Sequence, residues 1–251
     1  MQKEQSIPII LTSEAVASAP PHPLRIAVVE FEADLKFHEL PAFRAAVAEK
    51  AGLQHYLFHN HLPDGGFRQQ YPLIQYKVWR GKPMLFCLQE GIDAVQHFFV
   101  RPDWTLFIGD REMKLRLGDM SIRQMKLQVW DAPMNYQMRN WIPFNTDNYN
   151  RYKTMGLKDR IALLESTLTG NILTMAGGIG WQIQKKVEIS ILDLSSVKWV
   201  PYKGIQHMAF DVQFSSNVFL PKHLGLGRKV AVGFGCVRPE HKSDLHSTSE
   251  E

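Results

Sequence analysis

The sequence predicts an α+β protein built as two tandem ferredoxin-like domains. The first observation is local: residues 24–108 read in the order strand, helix, strand, strand, helix, strand. The second is a long amphipathic helix followed by further strand candidates, which repeats the same theme in the second half. The third is a glycine-rich stretch, Gly225 to Gly235, that leads into a final strand.

Leu24 to Glu32 is rich in β-branched residues and reads as the opening strand. Pro41 suits a helix start, where its missing N–H is no loss, and Phe43, Val47 and Ala51 then recur at helical spacing up to Gly52. His55 to Arg68, with Pro63 and Gly65-Gly66, reads as a loop, and Leu73–Trp79 and Met84–Leu88 flank a hairpin turn. Ala94, Val95, Phe98 and Phe99 mark the next helix, and Trp104–Ile108 is expected to close the first unit near Gly118. In the second half Met125–Trp130 and Met134–Phe144 look extended. Leu157, Ile161, Leu164, Leu168 and Ile172 line a helix that ends near Gly177-Gly178. Strands are predicted at Val187–Leu192, Val197–Tyr202, Met208–Phe214 and Lys229–Val237. The resulting division is a flexible extension over 1–23, domains over 24–118 and 119–237, and a disordered tail over 238–251. No compositional linker separates the domains.

With 251 residues, 45% hydrophobic and 22% charged, the chain has ample core-forming material. No run approaches the apolar length that a membrane span needs, so no membrane partner is expected. Cys87 and Cys236 lie far apart, which argues against a disulfide framework and against a multi-cysteine zinc site. The N-terminus makes a poor secretory signal, and a cytoplasmic location is expected. A net charge of +4 is compatible with a basic face for nucleic acid and is too small to demonstrate one.

The stretch Gly225-Leu226-Gly227-Arg228-Lys229-Val230-Ala231-Val232-Gly233-Phe234-Gly235 fits neither a Walker loop nor a dinucleotide fingerprint. Glycine permits close approach of another chain to the backbone. Gly225, Gly227, Gly233 and Gly235 together with Arg228 and Lys229 therefore form a candidate phosphate-binding surface. Its spacing, with the preceding Asn217-Val218-Phe219-Leu220-Pro221 and the trailing Cys236-Val237, resembles the C-terminal motif of the CRISPR-associated RAMP superfamily, especially its Cas-six group. That resemblance implies RRM-type ferredoxin-like domains, RNA binding, and metal-free cleavage of precursor repeat RNA.

His55, His59 and His61 crowd the loop after the first helix. A metal site would need a third ligand and an orienting outer shell, and no carboxylate or cysteine except Asp64 lies close in sequence, so no metal and no cofactor are expected. Imidazole titrates near neutrality. One histidine can take the proton of a ribose 2′-OH while another donor protonates the leaving 5′ oxygen. In an extended segment residues i and i+2 share a side, which would bring His59 and His61 to one phosphate. Lys77 or Arg68 would stabilise the phosphorane charge, and Tyr71 is a further candidate from its nearby chemistry.

His-Asn-His followed by Tyr71-Pro72-Leu73-Ile74-Gln75-Tyr76-Lys77 is similar to the N-terminal half of one branch of the same endoribonucleases. The resemblance assigns catalysis to His59 and His61 by position and implies repeat RNA as partner, with a homodimer or a CRISPR effector complex as further assemblies. A non-catalytic RNA-binding protein of the same superfamily is the competing reading. Basic residues such as Arg139, Lys185 and Lys186 mingle with Trp130, Tyr136, Trp141 and Tyr149, a mixture suited to RNA or to an ordinary solvated sheet edge. Among the isolated histidines, His223 is the one placed beside the glycine loop.

Overall fold

A computed structural model describes residues 21–52, 54–59 and 70–240. His61 and Arg68, most of the expected N-terminal extension and most of the expected tail lie outside the described residues.

Strand β1 (His22–Phe31) is followed by α1 (Leu40–Ala51), whose Phe43, Val47 and Ala51 are fully buried. Strands β2 (Ile74–Trp79) and β3 (Lys82–Leu88) form the hairpin, and α2 (Glu90–Phe99) returns over the sheet. The next two strands, β4 (Thr105–Ile108) and β5 (Arg111–Lys114), pair only with each other, as a ribbon that buries Leu106, Ile108 and Met113 beside α1. The expected closing strand at Trp104–Ile108 is thus an insertion. The fourth strand of the sheet is β6 (Leu117–Leu127), which pairs antiparallel with β1 to give the order β2-β3-β1-β6. Its polar composition, with Asp119, Ser121, Arg123, Gln124 and Lys126, suits a solvated sheet edge and hides its strand character from a hydrophobic pattern.

After one intervening residue, β7 (Val129–Trp141) begins the second sheet. Helices α3 (Thr146–Thr154) and α4 (Leu157–Gly178) follow. Asn145 caps α3 by accepting the Asn148 N–H at 2.8 Å, and α4 buries Leu164, Leu168, Ile172 and Met175. A long hairpin comes next, β8 (Ile189–Tyr202) and β9 (Ile205–Val218), then the glycine loop and β10 (Cys236–Pro239), in the order β10-β7-β9-β8. The two strands expected at Val187–Leu192 and Val197–Tyr202 are one strand with register shifts.

Both sheets follow the ferredoxin-like arrangement, in which the first and third strands are central. In the second half the glycine loop, with a single 3-10 turn at Val230–Val232, stands where the second helix would be. The strand expected over Lys229–Val237 is therefore reduced to Cys236–Pro239, because Lys229, Gly233 and Gly235 all have positive φ, which no strand accommodates. The described chain stays paired on either side of the expected bounds: β1 starts at His22, and Arg238 and Pro239 pair with Gln137 and Tyr136.

One hydrophobic cluster runs through both halves. Leu24, Ile26, Leu73, Phe86 and Leu88 of the first domain join Trp141, Leu164, Ile172, Phe210 and Val237 of the second. The opposite face of the first sheet packs under α1 and α2. Strands β2 and β3 are consequently buried on both faces, which accounts for the nearly continuous apolar run Met84-Leu85-Phe86-Cys87-Leu88. It also places Gln75 and Lys77 in the interior.

Candidate active site and nucleic-acid interface

His59 is fixed by what precedes it. Residues Tyr56–Phe58 form a 3-10 turn, Phe58 is fully buried, and its carbonyl accepts both the Tyr76 hydroxyl and Arg44 Nε at 3.2 Å. His59 ends this turn, half-buried, with φ −134° and ψ −5°. It leaves the core at the rim of the first domain, on the side of the sheet that Tyr76 faces. The backbone at His59 is not extended, so the alternation expected to align it with His61 does not begin there. His55 is drawn the other way: its ring stacks on His97 of α2, with centroids 3.7 Å apart, and desolvation, with His97 and Arg101 nearby, lowers its pKa. Among the described residues no three metal-ligating side chains converge.

Lys77 follows Tyr76 on β2 and so points to the other face. Its Nζ lies 5.9 Å from the Phe86 ring centroid, inside the protein, and its neighbours are His223, Trp79 and Arg238 rather than the turn that carries His59. Tyr71 also differs from the role expected of it. Its hydroxyl donates to the Gly225 carbonyl at 2.6 Å and accepts from Gln75 Nε2 at 2.9 Å, while Gln75 Oε1 accepts the Gly225 N–H at 3.0 Å. Burial pushes the phenol far above its ordinary range, so the proton is held against a carbonyl instead of being poised for transfer. Tyr71 and Gln75 are a strut between the domains. Tyr71→Phe removes the donor to a buried carbonyl and is expected to destabilise the fold by about 1–3 kcal/mol, read as a lower melting temperature.

The glycine loop is held by backbone bonds within itself and to the end of β7. Leu226 N donates to Gly235 O at 2.9 Å, Gly235 N to Asn140 O at 3.1 Å, and Arg228 N to Ile142 O at 3.0 Å. The amide of Gly233 bonds to Val230. Side-chain space is equally scarce: a Cβ on Gly225 would sit 2.8 Å from Gln75 and Val230, one on Gly227 2.7 Å from Trp141, and one on Gly233 2.7 Å from Leu40. These glycines shape the loop, and their amides at 225, 233 and 235 are used within the protein. What the loop presents outward is Arg228, exposed, and Lys229, half-buried with its Nζ 4.9 Å from the Tyr202 ring centroid. Desolvation, then Arg228 and Lys203, lower the Lys229 pKa.

Arg228 also borders a pocket of about 180 Å³ formed by Tyr149, Trp199, Ile205, His207 and Met208. Trp199 is 54% exposed and meets Tyr149 edge to face at 5.8 Å, so an aromatic face and a guanidinium stand side by side. This combination suits a nucleobase and its phosphate. The sequence does not show it, because Trp199 and Arg228 are distant in the chain and meet only where β8 pairs with β9 and the glycine loop docks beside them through the Arg228 N–H to Ile142 O.

His223 is buried beside the loop. Its pKa is pushed down to about 3, by desolvation first and then by Lys222, Lys77 and Arg238. The imidazole is neutral in the folded chain and titrates near its ordinary value of about 6.5 when unfolded. Its contribution to stability is therefore present above pH 6.5 and is lost as the pH falls towards 3. The expected slope is up to about 1.4 kcal/mol per pH unit in that window, and His223→Asn is expected to flatten it in denaturant titrations.

Comparison with known proteins follows the same division of the chain. Residues 22–126 match the Cas6b N-terminal domain and residues 128–240 the Cas6b C-terminal domain. A solved structure described as a crystal structure of Cas6b aligns with 87% of this chain and 100% of its own at TM-score 0.78 and 25% identity. A second, described as the CRISPR RNA processing endoribonuclease Cas6b, aligns over the same shares at TM-score 0.65 and 22% identity. An uncharacterized protein of Methanocaldococcus jannaschii is 37% identical over 97 residues, 39% of this chain, and the chain spans 65% of that relative's length. With two matched domain families that together cover the described fold from β1 to β10, the chain belongs to the Cas6b family.

Proposed function

We propose that this protein is an endoribonuclease that cuts precursor CRISPR RNA within its repeats. The observation that carries the reading is the match of both halves to the two Cas6b domains, joined to a histidine that closes the 3-10 turn after the first helix. In the proposed reaction the 2′ oxygen attacks the adjacent phosphorus in line, and the bond to the 5′ oxygen breaks. A 2′,3′-cyclic phosphate and a 5′-OH result. His59 and His61 act as general base and general acid, and Arg68 stabilises the phosphorane charge. Because the nucleophile belongs to the substrate and both protons move through imidazoles, the step needs no metal ion.

RNA is held away from the reacting phosphate by Arg228 and Lys229 of the glycine loop, with Trp199 and Tyr149 offering faces for stacking. Arg228→Ala leaves the backbone bond to Ile142 intact. It is expected to keep the melting temperature while weakening RNA binding across sequences and reducing the salt slope by about one. The deciding experiment incubates repeat RNA with excess protein and chelator. Cleavage is expected, and RNA with a 2′-deoxy at the scissile position should bind and survive. Tight binding of the unmodified repeat without any cut would instead identify a non-catalytic RNA-binding member.

A further inference from the structure

Among the described residues, two buried side-chain polar atoms have no hydrogen-bond partner, Lys77 Nζ and His223 Nδ1. They come from different domains, one from β2 and the other from the turn before the glycine loop. Both line the same inter-domain pocket of about 140 Å³, shared with Trp79, Gln137, Arg139 and Arg238. No carboxylate lines it. Lys77 is 2% exposed and His223 7%, so neither finds its missing partner in bulk solvent.

A buried ammonium without a counter-ion is costly, as is a buried imidazole nitrogen without a partner. The surrounding charges make this worse. Arg238 and Lys222 stand over the Trp79 ring at 4.5 and 4.8 Å from its centroid, and the His223 ring meets Trp79 edge to face at 4.8 Å. His223 also holds a left-handed backbone, φ +74°, pinned by its N–H to Val237 O at 2.9 Å. This bond fixes the direction in which the ring enters the pocket.

We infer that this pocket is a phosphate site bridging the two domains, with Lys77 Nζ and the His223 ring as inner donors and Arg139 and Arg238 as the outer rim. Its volume suits one small anionic group and falls well below the roughly 300 Å³ at which pockets for drug-sized ligands begin. The Trp79 ring is already flanked by cations and is not offered to a base. Burial lowers the pKa of Lys77, and burial followed by the nearby cations lowers that of His223; a bound anion opposes both shifts. The phosphate belongs either to the backbone of a bound RNA or to a free ion. The first source rests on the proposed function, and the second does not.

The test is thermal melting of the full chain in inorganic phosphate against chloride of equal ionic strength. At a hundred times the dissociation constant, phosphate is expected to raise the melting temperature of the parent protein by about 5–10 °C. Lys77→Met removes the unpaired charge at similar volume. It is expected to melt no lower than the parent in chloride and to lose the phosphate response. His223→Asn, which tolerates the left-handed backbone, should blunt that response. A parent that responds to phosphate no more than to chloride overturns the site, and so does a response that survives in both variants. Competition between phosphate and repeat RNA in the parent, absent in Lys77→Met, identifies the RNA backbone as the source. Stabilisation without competition identifies a free anion. Because melting requires no RNA, loss of cleavage and loss of the phosphate site are read separately.

Discussion

His59→Ala and His61→Ala are each expected to slow single-turnover cleavage of repeat RNA by about a hundredfold to ten-thousandfold, with little change in RNA affinity. The separation follows from where the two contributions arise. Proton transfer to and from the ribose and leaving oxygens exists only in the transition state, so its loss appears in the rate. In the proposed reading affinity comes from phosphate and stacking contacts at Arg228, Lys229 and the Trp199 surface, so neither substitution is expected to lower it. The fold should survive His59→Ala, since Phe58 is fully buried and its carbonyl accepts from Tyr76 and Arg44, which anchors the turn. The double variant should cleave little more slowly than the worse single one, because a base and an acid acting in one step are not additive. Cleavage at the parent rate in both single variants and in the double would place the catalytic centre elsewhere. His55 is a weak substitute there, since its ring is committed to a stack on His97.

Gly235→Val is expected to have the largest effect on stability, a fall in melting temperature on the order of 10 °C. A Cβ at this position meets the Leu226 carbonyl oxygen, a backbone atom that cannot rotate away, and the residue sits at φ +62°. The overlap costs about 1–3 kcal/mol and the left-handed backbone about 1–2 more. Moving Leu226 would also break its N–H bond to Gly235 and loosen the bridge between Gly225 and Cys236. Gly227→Val should be less severe. Its Cβ, at φ +95°, approaches the Trp141 ring at 2.7 Å and the Ile142 carbonyl at 3.0 Å, and the indole can shift slightly at the expense of its bond to Asn171. Melting curves for both variants would rank them. A Gly235→Val protein that melts within a degree or two of the parent would show that the loop tolerates a side chain after all. Any change in RNA affinity in these variants is interpretable only in the folded fraction, which is why Arg228→Ala is the cleaner probe of the loop surface.

The sequence by itself determined the elements whose signals are local. The helix ending at Gly52 and the long helix ending at Gly178 were legible because apolar residues recur on one face, and the hairpin at Arg80-Gly81 because a turn separates two apolar runs. The Gly-apolar-Gly units and the His-Asn-His segment were legible as motifs, and they pointed to the family that both domain matches support. Tertiary structure decided what local pattern could not. Polar β6 is a strand because β1 pairs with it along its length, and the domains meet through a single residue between β6 and β7, so no linker composition existed to be read. Two-sided burial of β2 turned Lys77 inward to face His223 across the domain boundary, and the segment before β2 places Tyr71 against the Gly225 carbonyl of the glycine loop. Residue type announced that these groups can carry protons or charge. Only packing decided whether a carbonyl, a cation or a pocket would stand beside them, because burial and neighbouring charge set what an ionisable group can do.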